Sequence, residues 1–145
     1  MSATKTAPTA GAVEGADKTG ASQSAMRFDL LPSERVYGSV HFLTGGTSLR
    51  EAIAIKHAMH RFPLTLEFHT TANGKEHLLS GVPVTIRVLT GPIVLETPSA
   101  GPFLLARLRP GPYAVTAEYH GQVQTQEVQV HANGGERLVF EWAID

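Results

Sequence analysis

The sequence contains no cysteine. That absence excludes disulfides, thiolate nucleophiles, zinc ribbons and iron–sulfur ligation, and it leaves the compartment open. Aspartate is confined to Asp17, Asp29 and Asp145. A Ser–His–Asp triad needs an acid to orient its histidine, and none lies within the body of the chain. A glutamate would substitute, but no Gly-x-Ser-x-Gly elbow accompanies one. No pair of carboxylates has a spacing that suggests glycoside hydrolysis. Charged residues make up 17% and the formal net charge is −1. This gives no electrostatic footprint for nucleic acid or for an anionic membrane. No stretch approaches the roughly 18 apolar residues of a membrane-spanning helix. Lys5 is followed by no apolar h-region, so no signal peptide is expected, although Ala21 to Ala25 has the small residues of a cleavage site.

What is present suits one domain of tight turns. The chain has 145 residues, 14 of them glycine and 9 proline, with 42% hydrophobic content. Short strands use Gly and Pro at their turns, whereas long helical bundles avoid them. Residues 1–26 are mostly Ala, Thr, Gly and Ser, with Val13 the one sizeable apolar residue after Met1 and before Met26. Such a segment buries too little to offset about 1–2 kcal/mol of ordering entropy per residue. A disordered tail is expected there, native, left by processing or added, with Met26 as a second start. The folded domain is expected over 27–145.

Within it, Val36, Val40 and Phe42 alternate with polar residues up to Gly45-Gly46 and predict a first strand. Ser48-Leu49-Arg50-Glu51 is a capping box. Ala52, Ile55, Met59 and Phe62 follow at helical spacing, widened by Leu49 and Ile53, until Pro63 stops the helix. From there the period is two: Leu64, Leu66 and Phe68; a hairpin at Asn73-Gly74; Val82 to Val88; Ile93 to Glu96; Phe103 to Leu108. Tyr113, Val115, Ala117 and Tyr119 share a face, and His120-Gly121 turns the chain. Val123 is out of phase with Val128 and Val130, which predicts a bulge. Asn133-Gly134-Gly135 predicts a last hairpin, and Phe140, Trp142 and Ile144 one face of the final strand. The fold expected is mainly β, an antiparallel sandwich with one α-helix between the first two strands, the strand–helix–strand piece covering about 36–70.

The stretch 79–144 carries Gly81-Val82-Pro83-Val84-Thr85-Ile86, Gly101 to Leu105, and Leu108-Arg109-Pro110-Gly111-Pro112-Tyr113 running on to Ala117, then Val128 and Val130. It resembles the carboxypeptidase regulatory-like domain, a transthyretin-like β-sandwich. In that family a strand ends in leucine and a Pro-Gly turn delivers an aromatic to the next strand. Gly45, Gly46, Glu51 and the strand Leu64 to Phe68 are similar to a narrower group of bacterial, often exported, proteins that carry this domain. The resemblance implies that fold, no assigned activity, and a periplasmic or secreted location. With no signal peptide, a cytoplasmic one stays open. Transthyretin-like hydroxyisourate hydrolases carry a C-terminal Tyr-Arg-Gly-Ser, whereas this chain ends Phe140-Glu141-Trp142-Ala143-Ile144-Asp145.

Seven histidines are the most chemically suggestive feature. His57 and His60 project from one helix face, and His41 and His69 lie on the flanking strands, with Glu67 on the face of His69. Such a set would suit zinc, copper or nickel. It lacks the His-Glu-x-x-His pattern, and beside Lys56 and Arg61 the helix pair reads more simply as a solvated face. Gly45 to Ser48 opens a helix and would offer amides to an anion, or serve only as its cap. Trp142 reads as core, not as a sugar platform. Tyr37, Tyr119 and His120 are candidates for an exposed interaction surface, and Gln122, Gln124, Gln126 and Gln129 for a polar face whose edge pairs with another chain. The expected function is a non-catalytic structural or protein-interaction module with no cofactor. The alternative is a small-ligand binder for carbohydrate or a divalent metal, and more remotely a hydrolase.

Overall fold

The computed structural model describes residues 31–72 and 74–144. The segment 1–26 read above as a tail lies outside the described residues, as do Asn73 of the Asn-Gly turn and the side chain of Ile144. Pro32–Asp145 forms one compact unit. Its strands are β1 (Arg35–Tyr37), β2 (Val40–Gly45), β3 (Leu64–Ala72), β4 (Lys75–Leu78), β5 (Pro83–Val88), β6 (Ile93–Pro98), β7 (Phe103–Arg107), β8 (Gly111–Tyr119), β9 (Gln122–Val130) and β10 (Glu136–Ile144). One helix, α1 (Leu49–Ala58), follows β2 and ends in a 3-10 turn, Met59–Arg61.

Two antiparallel-rich sheets share one core. The first has the order β1-β2-β7-β3-β10, with β4 also on β3, and the second β6-β5-β8-β9. Period-two patterning explains the layering. Leu64, Leu66 and Phe68 of β3 and Phe140 and Trp142 of β10 meet Val84, Ile86, Leu95, Val115, Ala117 and Val130 of the opposite sheet, all buried. Each of these side chains larger than alanine contributes about 2 kcal/mol by leaving water. Phe68, Phe140 and Trp142 stack in a row, with ring centroids 5.8 and 6.2 Å apart.

The other face of the first sheet carries a second apolar set, in which Ala54, Ile55 and Ala58 of α1 and Phe62 are buried along with Leu43, Phe103 and Leu105. Ser48 caps the helix through Oγ, which accepts from Glu51 N–H at 3.1 Å.

The structure corrects several expectations. The first predicted strand is two, because Gly38 at φ 60 turns the chain between β1 and β2, so the helix follows the second strand and not the first. Val36 is consequently exposed. The helix buries a narrower stripe than the pattern implied: Leu49 is 77% and Ile53 43% exposed. β9 runs in unbroken register against β8 from Tyr119↔Gln122 to Gly111↔Val130, so Val123 marks no bulge. The one irregularity in the second sheet is between Ile86 and Arg87, opposite β6. The sheets are not wholly antiparallel, since β10 pairs with β3 in parallel from Glu136↔Leu64 onward. The Asn133-Gly134-Gly135 segment is therefore a crossing between sheets and not a hairpin. Glu136 N–H donates to Pro63 O at 2.9 Å and starts the parallel ladder.

Candidate functional site

The histidines named from the sequence are dispersed. His57, in the last turn of α1, and His60, in the 3-10 turn, are exposed, as is His41 on β2. His69 on β3 is half-buried. Among the described residues, no group of three or more His, Asp or Glu is arranged to hold a metal ion.

One pair foreseen in the sequence does meet. Alternation puts Glu67 and His69 on the helix side of β3, and His69 Nε2 lies 3.2 Å from Glu67 Oε1. Glu67 is buried, and Arg137 of β10 donates from Nε to its Oε2. Burial pushes the Glu67 carboxyl up, but the hydrogen bonds from Arg137 and then His69, with their charges, hold it below the ordinary carboxylate value. An ionised carboxylate only accepts, so Nε2 of His69 carries the proton toward Glu67. His69 Nδ1 lies 3.4 Å from Glu76 Oε2 of β4 but outside hydrogen-bond geometry, and it has no hydrogen-bond partner among the described residues. The cluster ties β3, β4 and β10 together. Arg137 escaped the sequence reading because a parallel partner 70 residues away leaves no local signal.

The turn into α1 is filled by its own side chain. Gly46 N–H donates to Glu51 Oε1 at 2.6 Å, so an amide that would greet an anion is already satisfied. The glutamate reaches past the Ser48 cap to Gly46. Gly46 adopts φ +103, and a Cβ there would lie 2.6 Å from the Phe103 ring. Gly45, Gly46 and Glu51 thus form a structural lock.

The aromatic candidates separate. Tyr37 is exposed on β1 of the first sheet. Tyr119 and His120 lie at the β8–β9 turn of the other sheet, with ring centroids 4.3 Å apart. His120 at φ 52 and Gly121 at φ 77 form the two-residue left-handed turn that suits a hairpin twist. Tyr119 also packs on Trp142 at 5.8 Å and is only partly exposed. Trp142 is buried and donates from Nε1 to Gln122 O at 3.0 Å.

The glutamines have divided roles. Gln124 and Gln126 of β9 donate from Nε2 to Glu141 O and Val139 O of β10, at 2.7 and 2.8 Å. Gln129 is exposed. An open groove of about 250 Å³, lined by Leu89, Pro112, Tyr113, Glu127, Val128 and Gln129, lies at one end of the second sheet. It is below the roughly 300–1,000 Å³ of usual small-molecule pockets and contains no histidine. No helix among the described residues is long and apolar enough to cross a membrane. In comparisons with known proteins, no family model and no curated protein matches this chain.

Proposed function

We propose that this chain is a non-catalytic protein-interaction module on a transthyretin-like sandwich of the carboxypeptidase regulatory-like kind. It works by offering a sheet edge to an extended partner segment, the mode in which main-chain hydrogen bonds give affinity. The observation that carries this reading is β9, a nine-residue edge strand with one charged residue, no proline and no break in register. Sheets normally blunt such edges, and this molecule blunts the others. β1 has three residues. β6 is bulged against β5 and ends at Pro98. β4 is four residues long and begins Lys75-Glu76-His77. β10 has two outward carbonyls, those of Val139 and Glu141, taken by glutamines. The resemblance to exported bacterial proteins supports an envelope setting.

A photo-crosslinking residue at Glu127, compared with one at His57, tests this in cells expressing the full chain. Protein adducts are expected from the β9 position and not from the helix. Adducts from the helix alone would overturn the reading. So would a robust hydrolytic activity of the purified chain that one side-chain change abolishes.

A further inference from the structure

We infer that the segment β9 receives is β9 of a second copy of this chain, antiparallel about a two-fold axis at Thr125. The inference rests on β9 being the interaction edge proposed above, and it adds the partner and the register.

The main-chain groups of β9 that have no partner among the described residues can be assigned. Leu89 N–H donates to Pro112 O at 3.1 Å, so Pro112 turns its main chain toward β5. Alternation along an antiparallel strand then turns Tyr113, Val115, Ala117 and Tyr119 toward β9. Their register partners Val128, Gln126, Gln124 and Gln122 use their main-chain groups on β8. The groups pointing outward therefore belong to Val123, Thr125, Glu127 and Gln129.

Self-pairing about Thr125 uses the groups of Val123, Thr125 and Glu127. Thr125 meets its own copy, and Val123 meets Glu127 of the second copy, as hydrogen-bonded pairs exchanging both bonds. The register also extends a feature already built across the sheet. Thr85, Thr116 and Thr125 lie directly opposite one another on β5, β8 and β9, with Thr116 Oγ1 and Thr125 Oγ1 3.0 Å apart. Placing Thr125 against itself continues that threonine row into the second molecule, and cross-strand threonine pairs stabilise a sheet. The single charge of β9, Glu127, falls opposite the apolar Val123. Sliding the axis to Glu127 would set two carboxylates face to face, and repulsion disfavours that register.

The absence of cysteine makes the register directly readable. In the full chain, Thr125→Cys places two thiols on one face at a Cα separation of about 5.5 Å, within the disulfide range. Glu127→Cys sets them four residues out of register, about 13 Å apart. Light scattering should report twice the 15.5 kDa of one chain. Mild oxidation should cross-link Thr125→Cys at least about tenfold faster than Glu127→Cys. Thr125→Lys should halve the mass by opposing two ammonium groups, while Trp142 emission stays that of folded protein. A monomer up to millimolar concentration overturns the inference, and so does a dimer that cross-links equally at both positions or survives Thr125→Lys. A monomer whose Glu127 position still forms adducts with a different protein removes the second copy and leaves the proposed edge function standing. Loss of both removes both.

Discussion

Gln126 Nε2 donates to the Val139 carbonyl at 2.8 Å, so a side chain of β9 occupies a main-chain acceptor on the outer edge of β10. Gln124 does the same for Glu141 at 2.7 Å. The two sheets thus close along one side through side chains that mimic a missing strand, and β10 is withdrawn from edge pairing. Gln124→Ala with Gln126→Ala should lower stability by about 1–2 kcal/mol, near 1 for each net hydrogen bond. Denaturant unfolding measures the loss. Faster amide exchange confined to β10 would tie it to this edge, and exchange rising equally across both sheets would count against it.

Glu67 gives the acid side of the stability profile a definite sign. Its folded-state value lies below the ordinary 4.5, so its contribution is complete above that pH and is lost as pH falls through the lower folded value. Arg137→Ala leaves the buried carboxylate with His69 alone. Burial then prevails, and the acid transition should move to higher pH. At neutral pH the loss should be about 2 kcal/mol, below the value for a fully buried pair because the Arg137 side chain is 58% exposed. A carbon-detected NMR titration of Glu67 in the variant reads this directly. A titration unchanged from the parent chain would show that Arg137 does not hold the carboxylate.

Two glycines, Gly101 beside the turn into α1 and Gly74 between β3 and β4, separate close approach from backbone freedom. A Cβ on Gly101 would lie 2.4 Å from the carbonyl carbon and oxygen of Gly45. Main chain cannot step aside as a side chain does, so Gly101→Ala must displace β2 or β7 and should cost about 3 kcal/mol or more. Gly74→Ala meets nothing within 4 Å and bears only its φ of +76, a cost of about 1–2 kcal/mol. Thermal unfolding of the two variants should rank them in that order, and a reversed order would refute the contact.

The limits of the sequence reading follow from the same distinction between local and distant effects. Period-two patterning located β3, β5, β8 and β10 because burial of alternate residues such as Leu64, Leu66 and Phe68 is written within one strand. The Ser48 cap and the stop at Pro63 were legible because they act over one helical turn. Strand direction was not, since Leu138, Phe140 and Trp142 alternate identically whether β10 runs with β3 or against it. The break at Gly38 was hidden because Val36 and Val40 keep the same parity across the turn. The contact of Glu67 with His69 was legible as two residues on one strand face, but the roles of Gln124 and Gln126 required knowing which strand crosses over them.

Tyr113 supplies the alkaline counterpart. It is buried on the core face of β8, and its hydroxyl donates to Arg109 O at 2.8 Å across the Pro-Gly turn. Burial pushes its phenol above the ordinary 10.0, and the Arg109 charge offsets only part of this. A phenol held neutral contributes stability that is complete below the ordinary value and is lost as pH rises through the folded one. Tyr113→Phe keeps the ring and removes the donor. It should cost about 1 kcal/mol at neutral pH, and the Arg109 carbonyl then turns to solvent beside the exposed Pro110. Above pH 10 the variant has no phenolate to form at this position, so the stability difference should shrink as pH rises. Denaturant unfolding from pH 7 to 11 measures both limbs, and curves that stay parallel throughout would show that Tyr113 does not govern the alkaline loss.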